Sequence, residues 1–153
     1  MKFRLFFVLL LFSFSVSFAQ QAKQNFLSAL NDKNYELAES FIPAALAENP
    51  KDLDLHLLCN DVYLELGRNE KALEVMRQAE KISSKPFVLR KLANTLSINS
   101  YHSEAVRILR RLALDEKKEI SNWLLLVDVY LRADSLNQAE LAVARALDMD
   151  KNN

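Results

Sequence analysis

Glycine, proline, cysteine and histidine are scarce in this chain of 153 residues, which has one glycine, three prolines, one cysteine and two histidines. A single glycine excludes the Gly-rich loops that cradle phosphate groups, and a single cysteine excludes a disulfide within the chain. His56 and His102 do not have the spacing of a metal-binding pair, and no Ser/His/Asp set has supporting context. We therefore expect no enzyme activity, no cofactor and no metal site.

An excess of charge of either sign is also missing, because 20 basic side chains balance 20 acidic ones. Proteins that bind nucleic acids or anionic membranes through bulk charge carry a clear basic excess. The composition therefore favours neither nucleic acid nor an anionic membrane surface as a partner.

The first 19 residues differ from the rest and have the three parts of a secretory signal peptide. Lys2 and Arg4 form a basic start, an apolar run extends from Leu5 to Val16, and Ser17-Phe18-Ala19 provides small residues at the cleavage positions. We expect cleavage after Ala19 and a protein that is periplasmic or secreted. Cleavage leaves 18 basic and 20 acidic side chains.

An uncleaved membrane anchor is the alternative for this segment. The apolar stretch from Leu5 to Ala19 has 15 residues, whereas a membrane-spanning helix normally needs about 20. We therefore expect no stable membrane insertion after cleavage.

Four alanines recur at a nearly constant interval along the remaining sequence. Ala38, Ala72, Ala105 and Ala139 are separated by 34, 33 and 34 residues. Each lies in a stretch with helical hydrophobic periodicity, and short polar turn sequences separate the stretches. A period of this length predicts one pair of helices copied four times along the chain.

The fourth copy carries the clearest residue pattern, with Trp123, Leu126, Tyr130, Ala139 and Ala146 at characteristic intervals. This pattern resembles the tetratricopeptide repeat, and the resemblance covers nearly the whole chain after its first twenty residues. It implies an all-α fold, a right-handed α-solenoid of four helix-turn-helix repeats with about eight helices. The predicted domain spans residues 20–153, with repeats at about 20–52, 53–85, 86–119 and 120–153.

The resemblance also implies a binding surface, because the first helix of each repeat lines an inner groove in this family. Nine residues occupy the groove places: Leu57, Asp61, Leu64, Phe87, Arg90, Asn94, Leu124, Asp128 and Leu131. The second and fourth repeats each contribute two leucines and one aspartate at spacings of four and three residues, which share one helix face. The third repeat contributes Arg90 and Asn94 between them.

Two interpretations of these groove residues remain open at this point. Arg90 either receives an acidic group of a bound segment or bridges Asp61 and Asp128 within the protein. The leucines favour binding, because solvent-facing leucine repeated at the same places reduces solubility unless a partner covers it.

Single residues elsewhere favour structural roles. Cys59 and His56 occupy helix-packing positions of the second repeat, which predicts a buried thiol and a buried imidazole. Arg107, Arg110 and Arg111 lie on the second helix of the third repeat, where a solvated charged face is the expected role and an anion site the alternative.

The final helix, from about Leu136 to Asp148, carries Val143, Leu147 and Met149 where a further repeat would pack. We expect this face to be covered by self-association or by a partner. The alternative is that Arg145, Asp148 and the last four residues keep it solvated.

These features together predict a non-catalytic protein-interaction module of a bacterial cell envelope, a scaffold or adaptor that binds a peptide segment or a partner domain in its groove. The alternative is a periplasmic chaperone or cargo carrier for apolar segments.

Overall fold

The computed structural model describes residues 21–116 and 119–151, with only the backbone of Lys151 described. Within these ranges the chain forms eight α-helices and no strand, which confirms the predicted all-α fold of helix pairs. The predicted signal peptide, residues 1–19, lies outside the described residues. No helix of the described part is long and apolar enough to span a membrane.

The helices fall into two compact units, one up to Arg68 and one from Asn69 onward. The first unit holds α1 (Gln21–Asn31), α2 (Tyr35–Glu48) and α3 (Leu53–Glu65). The second holds α4 (Asn69–Ile82), α5 (Pro86–Ile98), α6 (His102–Asp115), α7 (Ser121–Arg132) and α8 (Leu136–Lys151). Each predicted repeat range encloses two of these helices, whereas the single domain predicted over residues 20–153 stays a prediction.

Consecutive helices pack against one another within each unit. In the first unit α2 contacts both α1 and α3, around a core that contains Phe26, Ile42 and Leu55. In the second unit each helix contacts the next, and α5 also contacts α7. Its core contains Met76, Leu92, Leu96, Leu109 and Leu126.

The four recurring alanines are all buried, as their helix-packing positions predict. Alanine at such a place keeps the side chain short, which lets the neighbouring helix approach closely.

The turn inside each helix pair has the same backbone geometry. One residue in every such turn has a positive φ: Lys33 (57°), Gly67 (66°), Ser100 (65°) and Asp134 (52°). The residue after it donates its N–H to the carbonyl five positions earlier, as in Asn34 to Ala29 at 2.9 Å and Tyr101 to Leu96 at 2.9 Å. This is the Schellman arrangement, which satisfies carbonyl groups at a helix end.

Two helices of the first unit, α2 and α3, have side-chain N-caps. The Asn34 side chain accepts a hydrogen bond from the backbone N–H of Leu37, and Asp52 does the same for Leu55, both at 3.1 Å. These N-caps satisfy donors that the first helical turn leaves without an intrahelical partner.

Candidate functional site

The predicted groove residues of the first unit lie on α3. Asp61 is exposed, whereas Leu57 and Leu64 are half-buried. Their spacing of four and three residues places them along one face of the helix. Each leucine thus keeps part of its apolar surface in solvent.

In the second unit the predicted residues lie on α5 and α7, which are in contact. Three of these side chains are strongly exposed: Phe87 at 45%, Leu124 at 54% and Leu131 at 53%. The half-buried Asp128 lies between the two leucines on α7, and its carboxylate accepts a hydrogen bond from Arg132 Nε at 2.9 Å. The structure thus presents apolar side chains with an internally paired acid beside them.

Arg90 is engaged within the protein. Its Nη1 lies 2.7 Å from Glu116 Oε2 and 3.2 Å from Asn122 Oδ1. The Asn122 amide also donates to the same Glu116 oxygen at 3.3 Å, and Asn122 is fully buried. This cluster joins α5, the end of α6 and the start of α7.

The position of Arg90 bears on both interpretations of the predicted groove. An internal ion pair does form, but its acid is Glu116 on the loop after α6, while Asp128 pairs with Arg132 on its own helix. A guanidinium that already contacts a carboxylate attracts a second acidic group less strongly than an unpaired one.

Leu131 also borders an apolar cleft between α7 and α8. The cleft has a volume of about 480 Å³. Its lining includes Val127 and Leu131 of α7 with Leu136, Val143 and Leu147 of α8. Two of the α8 residues, Val143 and Leu147, are those for which the sequence predicts an uncovered face, and both are exposed. We call this the terminal cleft.

A second cleft, of about 560 Å³, lies in the same unit and is not among the sites that the sequence predicts. Trp123, Leu126 and Tyr130 of α7 line it together with Leu141 of α8, and Arg110 of α6 and Arg145 of α8 also belong to its lining. We call this the aromatic cleft. A sequence signal existed, since Leu141 and Arg145 share a face of α8 at a spacing of four.

His56 and Cys59 are both buried and have packing roles. His56 is buried, and its Nδ1 lies 2.7 Å from the carbonyl oxygen of Asp52. Cys59 is fully buried, and burial raises the pKa of its thiol to about 12. Both residues pack as predicted. No cluster of three potential metal ligands occurs in residues 21–116 and 119–151.

Comparison with known proteins identifies the fold. The family model described as tetratricopeptide repeat matches residues 29–86. No curated protein sequence matches the chain.

Several solved structures resemble this chain closely in fold and weakly in sequence. A fragment of MamA from Desulfovibrio magneticus RS-1 is 15% identical with a TM-score of 0.70, and the match covers 88% of this chain and 77% of MamA. YrrB, described as a tetratricopeptide protein with an unusual peptide-binding site, is 14% identical with a TM-score of 0.75, covering 88% and 70%. A kinesin light chain from Podospora anserina with nearly identical tetratricopeptide-like repeats is 14% identical with a TM-score of 0.75, covering 88% and 75%. The chain therefore has the tetratricopeptide-repeat fold, as the sequence pattern predicts.

Proposed function

We propose that this chain of tetratricopeptide repeats is a non-catalytic interaction module, a scaffold or adaptor that binds a segment of another protein. The repeat fold supports this role, because stacked helix pairs present extended surfaces to partners. The single observation that carries the proposal is the exposure of Phe87, Leu124 and Leu131 on two neighbouring helices.

Apolar contacts are expected to supply most of the affinity. Covering one leucine side chain stabilises a complex by roughly 1.5 to 3 kcal/mol. Asp128 is already paired with Arg132, so polar groups there contribute orientation more than strength. A suitable ligand is a segment with apolar side chains spaced to meet Phe87, Leu124 and Leu131.

A second candidate function is a chaperone or carrier that binds apolar segments of many proteins. The terminal cleft favours it, because its lining is almost entirely aliphatic and Glu140 is its one charged residue among those described. A chaperone would bind unfolded chains of differing sequence with similar affinity, whereas a scaffold would retain one partner.

Export to a bacterial envelope belongs to the same proposal and rests on the pattern of residues 1–19. The mature chain would then begin at Gln20. Amino-terminal sequencing and intact mass of the protein from its own cells test this, and full-length chain in the membrane fraction would contradict it.

Self-association through α8 is a further part of the proposal. Leu136, Val143 and Leu147 are exposed along this helix. A second copy that docks its own α8 there would cover the same side chains on both molecules, as a twofold interface does.

The groove is tested by capture of partners from an envelope extract, followed by affinity measurements with purified variants. Leu124→Ala and Leu131→Ala are each expected to weaken binding about tenfold or more, the loss that follows from uncovering a leucine. Leu114→Ala is the matched control, because Leu114 is the same residue type and even more exposed, but lies on α6.

Equal binding by the parent and a Leu124→Ala, Leu131→Ala double variant would refute the groove as the binding surface. Circular dichroism of each variant verifies that its helices are intact before affinities are compared.

A further inference from the structure

The aromatic cleft combines an apolar floor with cationic groups at its rim. Trp123 and Tyr130 are half-buried, so each ring keeps one part in the core and one part facing the cleft. Leu126 also belongs to the lining and is almost completely buried. Half-exposed aromatic rings of this kind offer flat surfaces for stacking.

The two arginines at this cleft differ from Arg90 in their surroundings. Arg110 and Arg145 are exposed, and within the described residues neither guanidinium forms an ion pair. By contrast, Arg107 and Arg111, which also lie on α6, have acidic neighbours, Glu104 at 3.9 Å and Asp115 at 3.6 Å. The aromatic cleft is thus lined by two cations that form no ion pair within the described residues.

Asp148 is the acidic residue at the edge of this cleft, and it takes part in an interaction of its own. Two cations beside one engaged carboxylate leave an excess of positive charge. A ligand that complements this surface therefore carries negative charge on either side of an apolar or aromatic group.

We propose that the aromatic cleft binds an acidic peptide segment in which an aromatic side chain is flanked by carboxylates. The aromatic side chain stacks on Trp123 and Tyr130, and the carboxylates pair with Arg110 and Arg145. This site is separate from the predicted groove, since none of the nine groove residues lines it.

A single-stranded nucleic acid is the competing occupant, because bases also stack on aromatic rings. Such ligands need a track of basic groups along the backbone. The cleft offers only Arg110 and Arg145 among the residues described, with Asp148 beside them. The peptide is therefore the better match.

Trp123 makes the test direct, because it is the only tryptophan of the chain. Its fluorescence reports on the cleft without a label. The probe is the capped peptide acetyl-Glu-Phe-Glu-amide, and acetyl-Gln-Phe-Gln-amide is its uncharged counterpart. We expect the acidic peptide to cause a saturable change in tryptophan emission. The neutral peptide should bind more weakly, by roughly fivefold or more.

Arg110→Gln and Arg145→Gln are each expected to weaken binding of the acidic peptide about three- to tenfold. Arg111→Gln is the matched control on α6, and its binding curve should overlay that of the parent protein. Leu131→Ala should also leave the curve unchanged, which separates this site from the groove.

Equal binding of the two peptides would overturn the proposal, as would unchanged binding in the Arg110→Gln, Arg145→Gln double variant. Tighter binding of a ten-residue oligothymidylate than of the acidic peptide would assign the cleft to nucleic acid instead. A failure of the groove variants to affect a captured partner would leave these outcomes unaffected.

Discussion

Asp52 has two roles at the start of α3, and each of its two carboxylate oxygens serves one of them. One carboxylate oxygen caps the helix through the N–H of Leu55, and the other contacts Lys23 Nζ of α1 at 2.5 Å. The hydrogen bond to Lys23 lowers the pKa of this carboxyl below its usual value. The ionised form is therefore favoured in the folded protein.

Substitution of Asp52 should separate the two roles. Asp52→Asn keeps a good N-cap but loses the ion pair, so we expect a small loss of about 0.5 kcal/mol in the free energy of unfolding. Asp52→Ala loses both and should cost about 1 to 2 kcal/mol. Urea denaturation followed by circular dichroism measures these differences.

The pH dependence of this contribution has a defined sign. Because the folded pKa is lowered, the stabilisation is fully present above the unfolded pKa of about 3.9 and is lost as pH falls through the folded pKa. Asp54→Asn is the matched control, since Asp54 is exposed in the same first turn. An equal acid sensitivity in Asp52→Asn and the parent protein would contradict the assignment.

Cys59 should be chemically inert in the folded protein. Burial raises the pKa of its thiol to about 12, so the reactive thiolate is nearly absent at neutral pH. We expect no reaction with a disulfide reagent under native conditions and full reaction in denaturant. Fast native labelling at pH 8 would show instead that the thiol is accessible.

Among the structural elements, the four turns between paired helices share one feature: each has one residue in the left-handed region. Gly67 fills this place in the second repeat, whereas the other three repeats use Lys33, Ser100 and Asp134. A side chain there is strained, because its Cβ crowds the backbone in this conformation. The three turns without glycine therefore store a small cost that the packing of their helices offsets.

Removing the glycine from this turn position should lower stability, and introducing a glycine at the same position of another repeat should raise it. Gly67→Ala should lower the free energy of unfolding by about 1 kcal/mol. Backbone strain is the only cause, because a Cβ at this position would have no atom within 4 Å to clash with. Ser100→Gly should stabilise by about 0.5 kcal/mol. Thermal and urea unfolding measure both changes.

Gly67→Asn is the control for this interpretation. Asparagine adopts the left-handed region more readily than alanine, so its loss should be smaller. Equal losses for the alanine and asparagine variants would show that strain is not the cause.

The helix pairs and their turns could be predicted because they depend on residues close in sequence. The alanine period and the apolar spacing identified the packing faces, and Ala72 and Ala105 are buried accordingly. A general sequence rule would interrupt a helix at Pro43, yet α2 continues through it to Glu48, with Ile42 and Ala45 buried on its packing face.

Contacts between distant helices could not be predicted in the same way. The sequence places Glu104 one turn before Arg107, but the structure pairs it mainly with Arg77 of α4, through two bonds of 2.6 Å. Similarly, the partners of Arg90 lie 26 and 32 residues away. Periodicity defines which face of a helix a residue occupies, but it does not define which side chain stands opposite.

Among the described residues of the molecule, the strongly exposed leucines concentrate on α7 and α8 in the second unit. Leu131, Leu136 and Leu147, which line the terminal cleft together, are all more than half exposed. Monomeric proteins rarely leave a large contiguous apolar patch uncovered. This distribution favours an assembled state of the protein.

We expect the protein to associate in a concentration-dependent manner, and Leu147→Glu to weaken this strongly, because a carboxylate in an apolar contact is costly to desolvate. Analytical ultracentrifugation measures the change. Leu141→Glu is the matched control on the same helix, because Leu141 lines the aromatic cleft and not the terminal cleft. A parent protein that stays monomeric at all concentrations would refute self-association.

Within each unit, helices that follow one another in sequence pack together, and this local packing has a kinetic consequence. Chains whose contacts are local close only short loops as they fold, and helical proteins of this kind typically fold within microseconds to milliseconds. Such a chain can form helix pairs while its later residues are still being synthesised. If residues 1–19 direct export, transport through a narrow channel must therefore compete with rapid folding, which favours delivery to the membrane during translation.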